Sequence, residues 1–484
     1  MKATIARKAV AFFTLVGFAS FIVIHVYGDY PKVGLLANNP HYFQMNQMQE
    51  LKASLLRRNL ASLISPSPPP TASSSRIYRA TAYGADPTGK TDSTEALLNA
   101  ISGAFNASNN GDLMQGITNL GGAEVYLEGG YYMISRPLRL PASGGGNLLI
   151  HGGSLKASNT FPGDQYLIEL SASSSTYSYE YITLRDLLLD SNYRGGGISV
   201  INSLRTSIDN CYITHFTTNG ILIRGGHETY IRNSFLGQHI TAGGDPGEKG
   251  FSGTAINIVG NDNAVTDVVI FSAAIGIMVA GEANTLTGVH CYNKATGWGG
   301  TGIYLRLPGL TQTRIVNCYL DYTGIVAEDP VQLLISNTFF LGDGFILLKS
   351  IKGVIKGVNI VDNMFSGSGT GLDIVQLDQS KGPFKTIDGV VIDRNSINQM
   401  KLRATVARSV KEGNGSSWVI DFNNVLLFPN LIKHVQYSLS TPGSGSFPNH
   451  ALRNISGNRI VVESDRPVQA SVHVTVDQSP ISNG

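Results

Sequence analysis

A short motif repeats through the middle of the chain, and it restricts the fold more than any other feature. Each copy starts with Asp or Asn, or once with Gly, and continues into apolar residues, at steps of 20 to 34 residues. The copies start at Asp186, Asn210, Asn233, Asp267, Gly288, Asn317, Asn337 and Asn363. We call these positions the lead column. A unit this short cannot bury its own apolar face, so neighbouring units must stack to form a core.

An apolar residue lies two positions before each lead and indicates which side of the strand is buried. These residues are Leu184, Ile208, Ile231, Val265, Leu286, Ile315, Ile335 and Val361. Asn and Asp suit the bend of a coil because they tolerate left-handed backbone and hydrogen-bond the copy above. The pattern predicts an all-β protein: a right-handed parallel β-helix with coils about 4.8 Å apart, in which longer steps are loops inserted between strands.

Composition supports this fold and disfavours several kinds of partner. Only 14% of the 484 residues are charged and 55 are glycine, a balance that suits strands and turns better than helices. The net charge of +2 is too small to indicate nucleic acid or an anionic membrane. Three cysteines do not make a disulfide framework. We expect Cys211, Cys291 and Cys318 to be buried free thiols.

The N-terminal part of the chain differs from the repeat. Residues 1–28 combine Lys2, Arg7 and Lys8 with an apolar run, which is the form of a secretory signal peptide. The run is close to spanning length, so an uncleaved signal anchor is the alternative. Residues 29–75 end in a Pro- and Ser-rich stretch that is typical of an extended linker.

The rest of the chain divides into two predicted parts. Residues 76–402 are expected to form the β-helix, and strand and turn patterns over 403–484 predict a small C-terminal antiparallel β module. Three glycosylation sequons lie outside the repeat core and fit an extracellular protein. They start at Asn106, Asn414 and Asn454.

The β-helix region opens on a turn-rich segment, Tyr83–Ala96, which leads into a helix predicted over Thr94–Phe105 with Ser93 as its cap. This helix is expected to plug the N-terminal end of the solenoid, since an uncovered end would expose strand edges. The segment and the following strand, Gly121–Leu127, resemble the opening of the pectate-lyase superfamily. From about residue 76 to 400 the chain is similar to plant quartet-type polygalacturonases, which are associated with pollen-tetrad separation.

This resemblance implies a secreted glycoside hydrolase that cleaves α-1,4 bonds between galacturonates of pectin in the plant cell wall. Most plant polygalacturonases carry Asn-Thr-Asp, Asp-Asp, Gly-His-Gly and Arg-Ile-Lys motifs, and none of the four occurs here. Gly226-His227-Glu228 and Asn261-Asp262-Asn263 are partial matches. Candidate catalytic residues must therefore come from the register of the repeat.

Two further columns are expected to face outward, because alternate strand residues point to opposite sides. The upstream column, five residues before each lead, contains Arg205, Glu228, Asp262, Ala283, Gln312 and Gln332. The flanking column, three residues before each lead, contains Ser207, Tyr230, Ala264, Thr285, Arg314 and Leu334. Together they place carboxylates at the middle of one outward strand face, with guanidiniums on either side.

The acids of this face suit glycosidic hydrolysis, and we predict Asp262, Glu228 and Glu282 as catalytic. The reaction needs a carboxylic acid and a carboxylate, about 5 Å apart for retention or about 6.5–9.5 Å apart for inversion. Stacked acids would raise one pKa and so supply the proton. Glu228 with Asp262 in the next coil suits the short spacing. Glu228 with Glu282, two coils on, suits the long spacing that inverting polygalacturonases imply.

Five neighbouring side chains are predicted to bind substrate. Arg205 and Arg314 are suited to bidentate pairing with galacturonate carboxylates. Tyr230 offers a stacking platform. His227 adjoins the acids, and Gln312 lies two coils beyond Asp262 in the upstream column. Each has a structural alternative, since acids at turns are often only solvated and guanidiniums also cap turn carbonyls. No metal site and no cofactor are expected.

A second group of charged residues is the runner-up site, and one apolar column has two interpretations. The runner-up residues are Asp321, Glu328, Asp329, Lys294 and His239. The column two residues after each lead contains Leu188, Tyr212, Phe235, Val269, His290, Tyr319, Phe339 and Phe365. Unbroken alternation would bury it as core. A bend at the lead would instead turn it outward, where loops or another subunit would cover it.

Three functions remain open from the residues alone. A hydrolase of homogalacturonan leads, with pectic polysaccharide as substrate. A pectate lyase would need calcium held by several carboxylates and a base for the C5 proton, and no tight group of three Asp is visible. The third is a non-catalytic β-helix that binds wall polysaccharide. Self-association is not favoured, and no stable membrane association is expected once the signal is removed.

Overall fold

The fold comes from a computed structural model. It describes residues 76–106, 111–171, 177–239, 252–292, 300–443 and 447–479. The predicted signal segment 1–28 and linker 29–75, and Lys294 of the runner-up site, lie outside the described residues. No helix among the described residues is long and apolar enough to cross a membrane.

Each coil of the protein begins with a strand of a ten-stranded parallel sheet, and we call these the first strands. Isoleucines such as Ile198, Ile221 and Ile256 pair in register along this sheet and are fully buried. The first strands are Leu138–Arg139, Tyr166–Leu170, Gly196–Ile201, Asn219–Arg224, Thr254–Val259, Ile275–Val279, Thr301–Leu305, Ile325–Glu328, Ile346–Lys349 and Val375–Asp378.

Two further strands complete each coil and belong to a second, 24-stranded sheet. The middle strands are Ser207–Asp209, Tyr230–Arg232, Ala264–Thr266, Thr285–Thr287, Arg314–Val316, Val331–Ser336, Val354–Val361 and Thr386–Asp393. The third strands are Tyr212–Thr214, Phe235–Gly237, Val269–Phe271, His290–Tyr292, Tyr319–Asp321, Phe339–Leu341, Met364–Ser366 and Ser396–Asn398. In the first coils, Gly145–Ala157 and Tyr179–Asp190 run continuously through both positions, and Ser203–Leu204 is a short extra strand.

The predicted inward column of the middle strands is confirmed. Successive coils pair these residues in one register, and none of them is accessible to solvent. The paired residues are Ile208, Ile231, Val265, Leu286, Ile315 and Ile335. The parallel β-helix predicted from the repeat is therefore the observed fold.

The upstream column does not lie on a strand, which corrects the predicted outward face. Its six members have φ between 41° and 58°, so each forms a left-handed bend just before a middle strand. The lead column forms the next left-handed bend, before the third strand. The sequence pattern cannot separate these cases, because a bend and an outward strand position both expose polar side chains.

The eighth lead was placed one residue too late. The left-handed bend is at Asp362, with φ of 58°, and Ile360 rather than Val361 pairs with Ile335 in the inward column. Asn363 is buried and accepts a hydrogen bond from the Thr338 amide, 3.0 Å away. In the sequence, a buried asparagine that hydrogen-bonds the previous coil therefore looks the same as an asparagine at a bend.

The column two residues after each lead faces outward, so its assignment to the core was wrong. Tyr212 is 37% exposed and its ring stacks on Phe235 of the next coil, with centroids 4.7 Å apart. In the eighth coil Met364, not Phe365, occupies this position, and Phe365 is buried. The left-handed lead resets the alternation of side chains, which is the alternative that the sequence left open.

The N-terminal helix α1 spans Thr94–Asn106 and buries Leu97 and Ile101 against the main core. Its predicted cap, Ser93, instead accepts a hydrogen bond from the Asp86 amide, 2.9 Å away. Asp92 takes the capping role, because its carboxylate accepts a hydrogen bond from the Thr94 amide at 3.0 Å. The described strands around the helix are Ile77–Arg79, Thr88–Asp92, Asp112–Met114, Ile117–Tyr126 and Tyr131–Ile134, and a 3₁₀ turn spans Ala80–Tyr83.

The C-terminal part forms a separate antiparallel sheet, as predicted, with its own apolar cluster around Trp418. Its strands are Val406–Asp421, His434–Ser440, His450–Ser456 and Arg459–Asp477. The boundary between 402 and 403 stays a prediction. The three cysteines are free and buried, as expected from their packing as small hydrophobes, and burial raises the pKa of the Cys211 thiol to about 12.

Candidate active site

The three predicted catalytic acids lie in successive coils. The Glu228 amide donates to the Asp262 carbonyl at 3.2 Å, and the Asp262 amide donates to the Glu282 carbonyl at 3.1 Å. Ala283, not Glu282, occupies the left-handed position of its coil, so Glu282 is one residue off register as expected. The three acids therefore lie in adjacent coils, at or next to the bend before the middle strand.

Two of these acids contact a basic side chain rather than each other. Glu228 Oε2 lies 2.9 Å from Arg205 Nε, and Asp262 Oδ2 lies 3.2 Å from His227 Nδ1. The side chains of Glu228 and Asp262 are 42% and 55% exposed. Both carboxylates thus remain open to a ligand, and each has a nitrogen partner from a neighbouring side chain.

Arg205 is held between two carboxylates, Glu180 in the preceding coil and Glu228 in the next. A side-chain hydrogen bond to Glu180 and the charges of both carboxylates raise the pKa of the Arg205 guanidinium. The role of Arg205 in binding substrate stays a prediction. Arg205 orients Glu228 and balances its charge, and Glu180, with a side chain only 11% exposed, anchors the pair.

A buried amide network lies beneath the acids and was missed by the sequence analysis. Asn263 Oδ1 accepts from the Thr229 amide at 2.9 Å, and its Nδ2 donates to Asn284 Oδ1 at 3.2 Å. Asn284 Nδ2 donates to the carbonyls of Gly260 and Gly281 at 3.1 and 2.9 Å. Both asparagines are buried, with at most 2% of their surface exposed. The sequence does contain a signal for this network: an asparagine directly follows the bend residue in two successive coils, at Asn263 and Asn284.

Aromatic side chains border the acids. Tyr230, a predicted stacking platform, is 46% exposed and begins the middle strand two residues after the bend at Glu228. Tyr177 packs edge-on against His227, with centroids 5.9 Å apart. Tyr181 is 59% exposed, and its φ of 55° shows that the upstream column continues one coil before Arg205. Tyr177 and Tyr181 precede the first predicted member of the column, so the register did not include them.

Beyond the acids, the two outward columns form a shallow depression. Gln312 and Arg314 are exposed there, as predicted, and the guanidinium of Arg314 makes no ion pair with any described residue. The same depression includes Gln332, Leu334, Gly357 and Asn359. Amides and one guanidinium line it, and no carboxylate does.

Among the described runner-up residues, Asp329 and Glu328 bond to different partners. The buried carboxylate of Asp329 accepts hydrogen bonds from the amides of Ile351 and Gly353, at 3.0 and 3.2 Å, and from two neighbouring amides, so it holds a turn. Glu328 faces the other side of the coil, where Tyr304 Oη donates to it at 2.6 Å. Asp321 lies on a third strand.

A polar cluster follows the third strands, and of its members only His239 was predicted, as part of the runner-up site. Asp190 Oδ1 lies 2.7 Å from His215 Nδ1, and the Tyr193 ring packs 4.7 Å from the His215 ring. Tyr193 Oη bonds His239 Nδ1 at 3.2 Å. Burial alone would raise the pKa of Asp190, but hydrogen bonds from His215 and Asn192 outweigh it and lower the pKa. No group of three or more His, Cys, Asp or Glu with metal-binding geometry occurs within the described ranges.

The sequence is similar to one protein family and to one plant enzyme. A family model described as rhamnogalacturonase A/epimerase, pectate lyase-like, matches residues 77–300. Polygalacturonase QRT3 of Arabidopsis thaliana is 68% identical over 445 residues, which cover 91% of this chain and 92% of that protein.

Solved structures with the same type of fold are more distant. The endo-xylogalacturonan hydrolase of Aspergillus tubingensis is 12% identical, with a TM-score of 0.44 over 68% of this chain and 95% of that one. The A-module of the mannuronan C-5 epimerase AlgE4 of Azotobacter vinelandii is 13% identical, with a TM-score of 0.45 over 67% of this chain and 96% of that one.

Proposed function

Because this chain belongs to the pectate-lyase-like family of Polygalacturonase QRT3, we propose that it hydrolyses α-1,4-galacturonosyl bonds of pectin. The observation that carries the proposal is 68% identity to that protein over 91% of the chain. The exposed carboxylates at one edge of the solenoid supply the acid and base that the reaction needs.

The proposed catalytic residues are Glu228, Asp262 and Glu282. An ion-paired carboxylate suits the general base that activates water, which favours Glu228 beside Arg205. Glu282 lies two coils from Glu228 and makes no ion pair with another described residue, which suits the acid of an inverting reaction. Asp262 occupies the coil between them, with His227 as its partner.

Substrate is proposed to lie along the solenoid axis. A linear polymer in this direction would pass Tyr230 and His227 at the acids and then reach Gln312 and Arg314. Arg314 is two coils beyond Asp262, or about 10 Å at the usual strand spacing. Exposed aromatic and guanidinium groups on both sides of paired carboxylates support this direction, since galacturonate offers both an apolar ring face and a negative charge.

Digestion of de-esterified polygalacturonate, with and without added calcium, tests the reaction. We expect new reducing ends without an unsaturated, ultraviolet-absorbing product, because hydrolysis adds water across the bond. Absorbance that rises only with calcium would replace the hydrolase with a lyase. Binding of the polymer without any product would replace it with a non-catalytic binder.

The proposed location is extracellular. The sequon residue Asn106 at the end of α1 and Asn454 in the C-terminal sheet are exposed, which suits glycosylation in the secretory pathway. Expression in plant cells should give a glycosylated protein at the wall or in the medium. Full retention in membranes after carbonate extraction would instead identify residues 1–28 as an anchor.

A further inference from the structure

We infer that strand His434–Ser440 of the C-terminal sheet pairs with the same strand of a second copy, so that two chains form a symmetric dimer. We call this strand the open strand. It pairs on one side with the central strand Arg459–Asp477, and no other described strand pairs with its second side. On an edge of this kind, every second residue directs its backbone N–H and C=O away from the sheet, where another strand can bind. The inference does not depend on the proposed reaction.

The open strand lacks the features that protect sheet edges. Natural edge strands avoid pairing with other chains by means of charged side chains, proline or a β-bulge. The seven residues of the open strand include no Lys, Arg, Asp, Glu or Pro. They pair with the central strand without a register shift, so no bulge bends the edge away. Self-association was not expected from the sequence, because the sequence does not show which strands lie at an edge.

The other two outer strands of the same sheet are protected. Val406–Asp421 carries Lys411 and Glu412, and His450–Ser456 carries Arg453. A register shift interrupts the pairing of each with the central strand. Each also contains one of the glycosylation sequons. The lack of such features in the open strand is therefore specific to one side of the sheet, as expected for a side that a second chain covers.

The residues of the open strand complement themselves in an antiparallel pair. A two-fold axis at Tyr437 would place Val435 opposite the partner's Leu439, and Gln436 opposite the partner's Ser438. Apolar side chains would then meet apolar ones and polar side chains polar ones, because successive residues of a strand alternate between the two faces of the sheet. A contact of this symmetric kind closes after two copies and does not grow into a fibre.

Three apolar side chains of the open strand favour the pairing beyond its backbone hydrogen bonds. Val435, Tyr437 and Leu439 pack against the apolar cluster around Trp418 but stay only partly buried. The Tyr437 ring is held there, since its Oη lies 3.1 Å from His450 Nδ1. A second copy would cover the side of these residues that water now contacts, and burial of apolar surface favours association. One seven-residue strand gives a small contact, so we expect a reversible dimer.

Lys433, directly before the open strand, does not block it. Its Nζ lies 3.4 Å from the carbonyl oxygen of Ile387, in the last middle strand Thr386–Asp393. The side chain thus points to the solenoid instead of across the edge. At the first position of the strand, His434 would lie opposite the partner's Ser440, so the pair brings no two like charges together.

Sedimentation velocity of the purified full chain, over a range of concentrations, tests the dimer. The average mass should rise with concentration from one chain to two and then stop. Gln436→Lys with Ser438→Lys should weaken the dimer about tenfold or more, because the pair would bring lysines of the two copies opposite each other. Both side chains are exposed, so the circular dichroism spectrum should not change.

Thr475→Lys with His473→Lys is the matched control. These residues pair with Gln436 and Ser438 on the same face of the sheet, but they lie on the central strand, whose two sides are both paired. The control should dimerise like the parent. A third variant, Gln436→Glu with Ser438→Glu, should also weaken the dimer. An equimolar mixture of the glutamate and lysine variants should restore it, because opposite charges then meet.

A parent chain that stays monomeric at every concentration would overturn the inference. So would a dimer that the lysine pair weakens no more than the control does. The glutamate variant tests the same contact whether or not the lysine variant keeps its fold. Failure of the two variants to form a mixed dimer would place any association of this protein at another surface.

Discussion

Two columns of bends run side by side along this solenoid, with the same backbone conformation and different compositions. The lead column contains Asp, Asn and Gly, with φ between 50° and 64°. The upstream column contains Arg205, Glu228, Asp262, Ala283, Gln312 and Gln332, with φ between 41° and 58°, so Asp262 is its one member of a type that suits the bend. Left-handed backbone costs an ordinary L-residue roughly 1–2 kcal/mol, whereas Gly, Asn and Asp adopt it more readily.

We propose that this difference separates residues that serve the fold from residues that serve a ligand. A lead such as Asn210 is suited to its bend and also donates to Asp186 in the previous coil, at 2.7 Å. Nothing in the backbone of the upstream column favours Glu228 or Gln312 over asparagine. Their side chains therefore account for their presence, and strained residues of this kind are often found at functional sites.

The largest expected effect is on catalysis. Glu228→Gln should lower kcat by about 10²–10⁴-fold, because a positioned acid or base contributes on that order. The amide keeps the size of the side chain, and Arg205 keeps Glu180 as its partner, so the fold should persist. Reducing-end assays on polygalacturonate, with circular dichroism of the same samples, measure both effects.

Asp186→Asn is the matched change in the lead column. It should leave kcat within about twofold, since asparagine suits the same bend. Equal loss in both variants would remove the functional distinction between the columns.

The next effect is on stability. Asn263→Ala should lower the free energy of unfolding by about 1–3 kcal/mol, because it leaves the buried Thr229 amide without its acceptor. Asn317→Asp, an exposed lead, should cost less than about 0.5 kcal/mol. Urea denaturation compares the two. A cost for Asn263→Ala as small as that of the exposed change would mean that the buried amides do not support the acids.

A pair of exchanges in one coil tests the backbone argument itself. Ala283→Gly should stabilise the protein by about 0.5–1 kcal/mol, because glycine relieves left-handed strain that exceeds its entropic cost. Gly288→Ala should destabilise by more, since its Cβ would meet Asp267 Oδ1 at 2.2 Å. Thermal unfolding of both variants gives the signs. Destabilisation by Ala283→Gly would show that the upstream column carries no backbone strain.

The smallest effect is a pH dependence in the lead column. A hydrogen bond from Arg394 is the main cause that lowers the pKa of Asp362 below its usual 3.8. A lowered pKa stabilises the fold above the unfolded value, and this contribution is lost as the pH falls through the folded value. Asp362→Asn should therefore lower Tm slightly at pH 6, and the gap should close below about pH 3.8. A gap that is constant with pH would show that the pair does not contribute through charge.

Much of the fold could be predicted from the sequence because two signals agree. Apolar residues such as Ile231 mark the inside, and Asp or Asn marks the bend, at intervals that repeat. The eighth coil shows the limit, since Asn363 obeys the pattern while bonding from inside the coil. The pairing of Ile335 with Ile360 shows that the bend is at Asp362 and not at Asn363.

Less of the candidate site could be predicted. The register placed Glu228 and Asp262 in neighbouring coils, because the spacing of the apolar column and the leads gives the correct pairing of strands. It treated their bend as a strand, since exposed polar residues occur at both. It also missed the amides of Asn263 and Asn284, whose role depends on contacts across coils rather than on spacing along the chain. The partner of Arg205 was hidden for the same reason.

The most direct test of the distinction compares two aspartates of one coil, Asp262 in the upstream column and Asp267 in the lead column. Each is changed to asparagine, which keeps its size and suits left-handed backbone, and kcat is measured on soluble polygalacturonate. Asp262→Asn should lose about 10³-fold or more with an unchanged Tm, and Asp267→Asn should stay within about twofold of the parent. An Asp262→Asn enzyme within tenfold of the parent, or equal losses in both, would contradict the assignment of catalysis to the upstream column.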